Sequence, residues 1–184
     1  MPDSGALIRR VHLVRHGAPA VDRARPPHEW RLDPAGLPAI TELAASGRIP
    51  ERARWFSSPE PKALGTAMQI TDTTVTVVSD LREHQRDSTQ WYDDLEEFRA
   101  LVRRAFDVPD DSAHPGWEPL IVTRDRVVPA VRRILAEHPR EEIVLVGHGT
   151  TWTLVAAELT DRPPDLDAWA ALRMPDVWAF EVRD

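Results

Sequence analysis

Two short runs in this sequence place a histidine where chemistry could be done. Arg15-His16-Gly17 follows an apolar stretch directly, and His148 lies between Gly147 and Gly149 at the end of another. A third segment, Leu81-Arg82-Glu83, offers a carboxyl group. A glycine beside each histidine lets the backbone turn sharply and approach a ligand. The set suits phosphoryl transfer. A phosphoryl group carries roughly two negative charges near neutral pH. Attack on it needs a neutral imidazole nitrogen, donors for the equatorial oxygens and an acid for the leaving group. His16, Arg15 with His148, and Glu83 could fill those roles in turn. Each has a plainer account when taken alone. A strand-end histidine is usually structural, and a carboxylate after a strand is usually solvated. The ordered combination carries the argument.

The elements that must position these residues alternate in type. Arg10 to Arg15 reads as a buried strand, apolar on both faces. Asp33-Pro34 has the form of a helix N-cap followed by proline, and Leu37, Ile40, Leu43 and Ala44 keep helical spacing. Ala53 to Ser57 is a short strand, Ala63 to Ile70 a helix, and Thr74 to Val78 a β-branched strand. Trp91, Leu95, Phe98, Val102 and Phe106 share one helical face, as do Leu120, Val127, Val131 and Ile134, with Pro129 inside the second helix. Glu142 to Val146 is the clearest buried strand, Thr150 to Leu159 is helical, and Trp178 to Val182 suits an edge strand. This order predicts an α/β fold, an α/β/α sandwich with a mainly parallel central sheet covered on both faces. Ligands of such sheets bind beyond the carboxyl ends of the strands. Both His16 and His148 fall there.

Across most of its length the chain resembles the histidine phosphatase (phosphoglycerate-mutase-like) superfamily. Leu13-Val14-Arg15-His16-Gly17 resembles that family's nucleophile motif, and Leu32-Asp33-Pro34-Ala35-Gly36-Leu37 its following helix entry. Ser57-Ser58-Pro59 with Lys62-Ala63 and Thr66-Ala67 is similar to its second phosphate-binding stretch. Leu81-Arg82-Glu83 and Val146-Gly147-His148-Gly149 resemble the segments bearing the acid and the second histidine. The resemblance implies a three-layer fold and a phosphohistidine intermediate. His16 would be the nucleophile. Arg15, Lys62 and His148 would bind phosphate, and Glu83 would protonate the leaving oxygen and later activate water. It implies no metal and no other cofactor, because the pocket's own cations neutralise the charge.

The chain departs from the family pattern at three places. Lys62, its only lysine, stands where the family usually has arginine. An ammonium is a point charge and grips phosphate with less orientation than guanidinium. Pro19 and Asp22 stand where the family often has a threonine and an asparagine that bind phosphate. Proline has no donor, and an inward Asp22 would repel the anion. The other histidines read as structural or surface groups: His12 buried in its strand, His84 turned away from Glu83, and His28, His114 and His138 in loops. Trp55, Trp152 and Trp178 suit the core, whereas Trp30, Trp91 and Trp117 could border the site.

Bulk properties set the remaining bounds. The 184 residues suffice for one domain, here spanning residues 1–184, and the formal net charge is −7. That charge disfavours nucleic acid and anionic membranes as partners, but a local basic pocket can still take a small phosphorylated substrate. The absence of cysteine removes thiolate chemistry and disulfides. Met1 to Arg10 lacks the apolar core of a signal peptide, and no run reaches the roughly eighteen apolar residues of a membrane span. These features point to a cytoplasmic protein of unspecified oligomeric state. The expected activity is a phosphatase, a phosphoric monoester hydrolase. A mutase is the alternative within the same chemistry, and a low-turnover phosphate-ligand-binding or regulatory protein is the alternative outside it.

Overall fold

The structure, a computed structural model, describes residues 8–87 and 92–183. Five strands form one sheet in the order β3-β2-β4-β1-β5. β1 (Ile8–Arg15), β2 (Arg54–Ser57), β3 (Val75–Val77) and β4 (Ile143–Gly147) are parallel, and β5 (Asp176–Arg183) runs antiparallel to β1 at one edge. The mainly parallel sheet and the edge position of the last strand are as the sequence predicts.

Alternation along the strands explains the layers. Val11 and Leu13 of β1, with Ile143 and Leu145 of β4, pack against Val127, Val131 and Ile134 of α4 (Leu120–Glu137) and Trp152 of α5 (Gly149–Thr160). Val14, Val144 and Val146 point to the opposite face. They meet Leu43 of α1 (Leu37–Ala45) and Ala63 and Ala67 of α2 (Pro61–Ile70). Every residue of β4 is buried, as a central parallel strand covered on both sides must be. The result is a three-layer α/β/α sandwich.

Local chemistry sets where the helices begin. Asp33 accepts a hydrogen bond from the Ala35 N–H and opens a single 3-10 turn at Pro34 before α1 starts. α2 starts two residues earlier than the apolar spacing suggests, because Pro61 takes the first helical position, where its missing donor costs nothing. Pro129 is accommodated inside a continuous α4. α3 (Leu95–Asp107) starts at Leu95, where Asp94 caps it by accepting from the Glu96 N–H. The Trp91 position expected in this helix lies outside the described residues. A short helix, α6 (Leu166–Ala171), is additional to the sequence reading. A third apolar cluster joins Val102 and Ala105 of α3, Trp117, Leu154 of α5 and Trp169 of α6. It forms the wall beside the strand ends. No helix among the described residues is long and apolar enough to cross a membrane.

Candidate active site

The carboxyl ends of β1 and β4 bring the two histidines together. The Arg15–Gly147 pairing closes the ladder, and the His16 N–H donates to the Gly147 carbonyl at 2.9 Å, extending it one residue further. The imidazoles of His16 and His148 then meet edge to face with centroids 5.2 Å apart. Two glycines permit this geometry. A Cβ on Gly147 would stand 2.6 Å from the Trp152 ring, which is itself fixed by donating from Nε1 to the Val14 carbonyl. A Cβ on Gly17 would stand 2.6 Å from Ile40 Cδ1. The Gly17 N–H is held by the Thr66 hydroxyl at 2.9 Å, which ties this turn to α2.

The hydrogen bonds of His16 determine its tautomer. Its Nδ1 lies 2.7 Å from the Gly17 carbonyl, which can only accept. Nδ1 therefore carries the proton, and Nε2 keeps its lone pair. Burial, and then the neighbouring His148 and Lys62, hold His16 well below the ordinary imidazole range. Burial and the Lys62 charge push His148 down to about 3. Its Nε2 meets the Ser58 hydroxyl at 2.8 Å. Both rings are neutral at pH 7.

Glu83 is anchored at the start of α5. Its carboxylate accepts from the N–H groups of His84, Thr150 and Thr151 and from the Thr151 hydroxyl, at 2.8 to 3.1 Å. Burial opposes its ionisation, but the Arg86 guanidinium and these donors prevail and hold it well below the usual carboxylate range. A helix N-terminus is a natural place for that charge. Glu83 is thus a firmly held carboxylate.

Arg15 and Lys62 both line the same pocket. Arg15 donates from Nη1 to the Leu172 carbonyl at 2.7 Å, while its buried Nε has no partner among the described residues. Lys62 is not a solvated first-turn lysine. It is 5 % exposed, and its Nζ contacts the Glu60 carboxylate at 2.5 Å and the Pro27 carbonyl at 2.6 Å. Glu60 uses its other oxygen to accept from the Glu83 N–H at 2.8 Å, and that oxygen lies 3.4 Å from His148 Nε2. The structure therefore brings His16, Arg15, Lys62, Glu83 and His148 to one pocket.

Two of its charged groups escape the sequence reading. One is Glu60. The other is Arg86, whose Nη2 donates to the Thr150 hydroxyl at 2.9 Å and whose guanidinium lies over the rings of Phe98 and Trp117 at 5.1 and 4.6 Å. Of the two departures near the nucleophile, Pro19 does line the pocket. Asp22 does not point inward. It is exposed, accepts from the Ala24 N–H and pairs with Arg25. His12 is buried against Glu142, and His84 is buried with Nε2 at 2.7 Å from the Glu118 carbonyl. Trp30 and Trp117 border the pocket. Trp169 lines it as well, a residue without a sequence signal. Among the described residues no three His, Asp or Glu side chains converge as a metal-ligand cluster.

A mainly parallel α/β/α sandwich with two imidazoles, guanidinium groups and a carboxylate at its strand ends defines an anion-handling α/β protein. Comparison with known families gives the narrower assignment: residues 11–177 match the histidine phosphatase superfamily (branch 1), and the chain belongs to it. No curated protein matches the sequence. Several solved structures share the fold. A phosphoglycerate mutase from Bacillus anthracis superposes with TM-score 0.75 at 15 % identity, covering 97 % of this chain and 92 % of that one. A phosphoserine phosphatase from Entamoeba histolytica gives 0.74 at 17 % identity, covering 95 % and 94 %. A mycobacterial glucosyl-3-phosphoglycerate phosphatase gives 0.70 at 21 % identity, covering 95 % and 90 %.

Proposed function

We propose that this protein is a phosphatase that hydrolyses phosphomonoesters through a phosphohistidine formed on His16. The observation that carries the reading is the Nδ1 contact to the Gly17 carbonyl, which leaves Nε2 unprotonated in a pocket walled by cations. In the first step Nε2 attacks phosphorus and the bond to the alcohol oxygen breaks. The alcohol oxygen takes a proton from Glu83. In the second step Glu83 accepts a proton from water as that water attacks phosphorus. The P–N bond breaks, phosphate departs and His16 is restored. Arg15, Lys62 and His148 hold the equatorial oxygens throughout.

The state of Glu83 fits this division of labour. It is ionised among its protein donors. A phosphoryl dianion placed beside it raises its affinity for a proton, the direction that the acid role requires. Once the alcohol has left, the carboxylate is ready as the base for water.

The test is a leaving-group series on Glu83→Gln. A positioned general acid contributes about 10²–10⁴-fold. The variant should slow alkyl phosphates by that amount and activated aryl phosphates much less, since those leave without a proton. Equal slowing of both classes would remove the acid role. Wild-type turnover should survive chelator; activity lost to chelator and restored by a divalent cation would replace this chemistry with a metal-dependent one.

A further inference from the structure

The phosphoryl end of the pocket is polar, but its mouth is not. Seven large apolar side chains stand exposed among the described residues, and three of them line this opening: Val21, Leu95 and Met174, at 45 %, 56 % and 41 % exposure. Behind them Trp30, Phe98 and Trp117 form the walls. They cannot be explained as core, because nothing among the described residues covers the outer three. The volume is about 860 Å³, near the upper end of the range for sites that enclose drug-sized ligands, about 300–1,000 Å³. A phosphoryl group fills only a corner of it.

Charge narrows the occupant further. Arg15, Lys62, Arg82 and Arg86 face Glu60, Glu83 and Asp93 in the lining, a net of one positive charge from the arginine, lysine and carboxylate side chains. Residues 88–91, Ser-Thr-Gln-Trp, bring no ionisable group. Protonating Glu83 as the acid raises the net to two, which a phosphoryl dianion alone matches. Glu60 is decisive here. By pairing with Lys62 at 2.5 Å it offsets part of the positive charge that anions would otherwise meet. An additional carboxylate seated among Val21, Leu95 and Met174 would stand against apolar side chains.

We infer that the alcohol released from this site is bulky, apolar and uncharged, so that the substrate class is phosphomonoesters of hydrophobic alcohols. This rests on the phosphatase reading and adds the identity of the leaving group to it. The apolar mouth holds the alcohol while the buried Glu60–Lys62 pair lowers the positive charge that a second anion would meet. The esters named for the structural neighbours, phosphoserine and 3-phosphoglyceric acid, carry such a carboxylate and fit this pocket poorly.

The test compares kcat/KM for 2-naphthylmethyl phosphate with those for phosphoserine and 3-phosphoglycerate. All three are alkyl esters, so ease of leaving does not bias the comparison. The naphthylmethyl ester should lead by at least about tenfold, the size of a substantial apolar contact. Leu95→Gln should lower its kcat/KM by about three- to tenfold and leave hydrolysis of the phosphoenzyme unchanged, because the alcohol has gone by then. Val21→Lys should narrow the gap by raising turnover of 3-phosphoglycerate. Equal or better turnover of the carboxylated esters would overturn the inference. So would a preference that neither variant moves. If all three esters are hydrolysed alike and His16→Ala abolishes that, the phosphatase reading stands and only this inference falls. If none releases phosphate, both fall.

Discussion

At the scale of single residues, the surroundings of His16 keep its ring neutral with Nε2 unprotonated, as the proposed attack on phosphorus requires. Burial, His148 and Lys62 keep its imidazole neutral well below the usual pKa of 6.5. Its Cε1–H resonance should therefore stay put when a solution is titrated from about pH 7.5 to about pH 5, where an ordinary histidine shifts. A midpoint near 6.5 would mean that the ring is hydrated and the pocket is not as closed as described. Arg86 supplies a second test. It is a guanidinium within the lining, bonded to Thr150 at the start of α5. Arg86→Met should lower kcat/KM by about 10²–10³-fold, as loss of a transition-state donor does. An unchanged value would reduce its role to bracing Phe98 and Trp117. The sequence exposes His16, Arg15, Glu83 and His148 because each follows a strand end in a short, recognisable run. Arg86 and Glu60 have no such signature. Arg86 is one arginine among 22 basic residues other than Lys62. Its importance arises only when the chain folds its guanidinium between an α5 hydroxyl and two rings.

At the scale of elements, β1, β4 and the start of α2 act as the frame of the site, and the buried Glu60–Lys62 pair joins that frame to Glu83. Both side chains are 6 % exposed. Removing one partner leaves the other charge buried and alone, which typically costs about 3–5 kcal/mol. Lys62→Met should therefore lower the urea midpoint markedly, and Glu60→Leu combined with Lys62→Met should restore most of it. A single variant as stable as the wild type would show that water reaches the pair. Because Lys62→Met leaves Glu60 without its partner, any loss of activity in it reflects both residues. Most elements could be read in advance because their apolar periods are strong: β4 is apolar along its length, and α4 keeps Leu120, Val127, Val131 and Ile134 on one face. α6 escaped because six residues after Pro163-Pro164 give less than two turns of pattern. The early start of α2 escaped because Pro61 looks like a loop residue unless its place as the first helical residue is considered.

At the scale of the whole molecule, the same burial that serves the site makes the fold sensitive to acid. His16, His84 and His148 are all buried and neutral, with His84 pushed down to about 4 by burial and the Arg86 charge, and His148 to about 3. In the unfolded chain each returns to about 6.5. Below that pH the unfolded state binds more protons than the folded one, so stability must fall. It is fully present above pH 6.5 and declines by about 1.4 kcal/mol per pH unit for each histidine. That decline continues toward pH 4, where His84 begins to protonate in place. Urea unfolding at about pH 7 and about pH 5 should show a clearly lower midpoint in acid. A flat response would mean that these rings are protonated within the fold. The three-layer architecture and the strand-end location of the pocket were legible from the order of elements alone. The apolar mouth was not, because Val21, Leu95 and Met174 come from distant stretches of chain and meet only in three dimensions.

The central claim is a covalent phosphate on His16 Nε2, and trapping it is the most direct measurement. The protein should be mixed with an activated aryl phosphate, quenched into alkaline denaturant and mapped by mass spectrometry. The account predicts an alkali-stable, acid-labile phosphate on the peptide containing His16, formed and discharged at rates that match turnover. It predicts neither adduct nor turnover in His16→Ala. Turnover that persists in His16→Ala, or a phosphate carried by another residue, would contradict it.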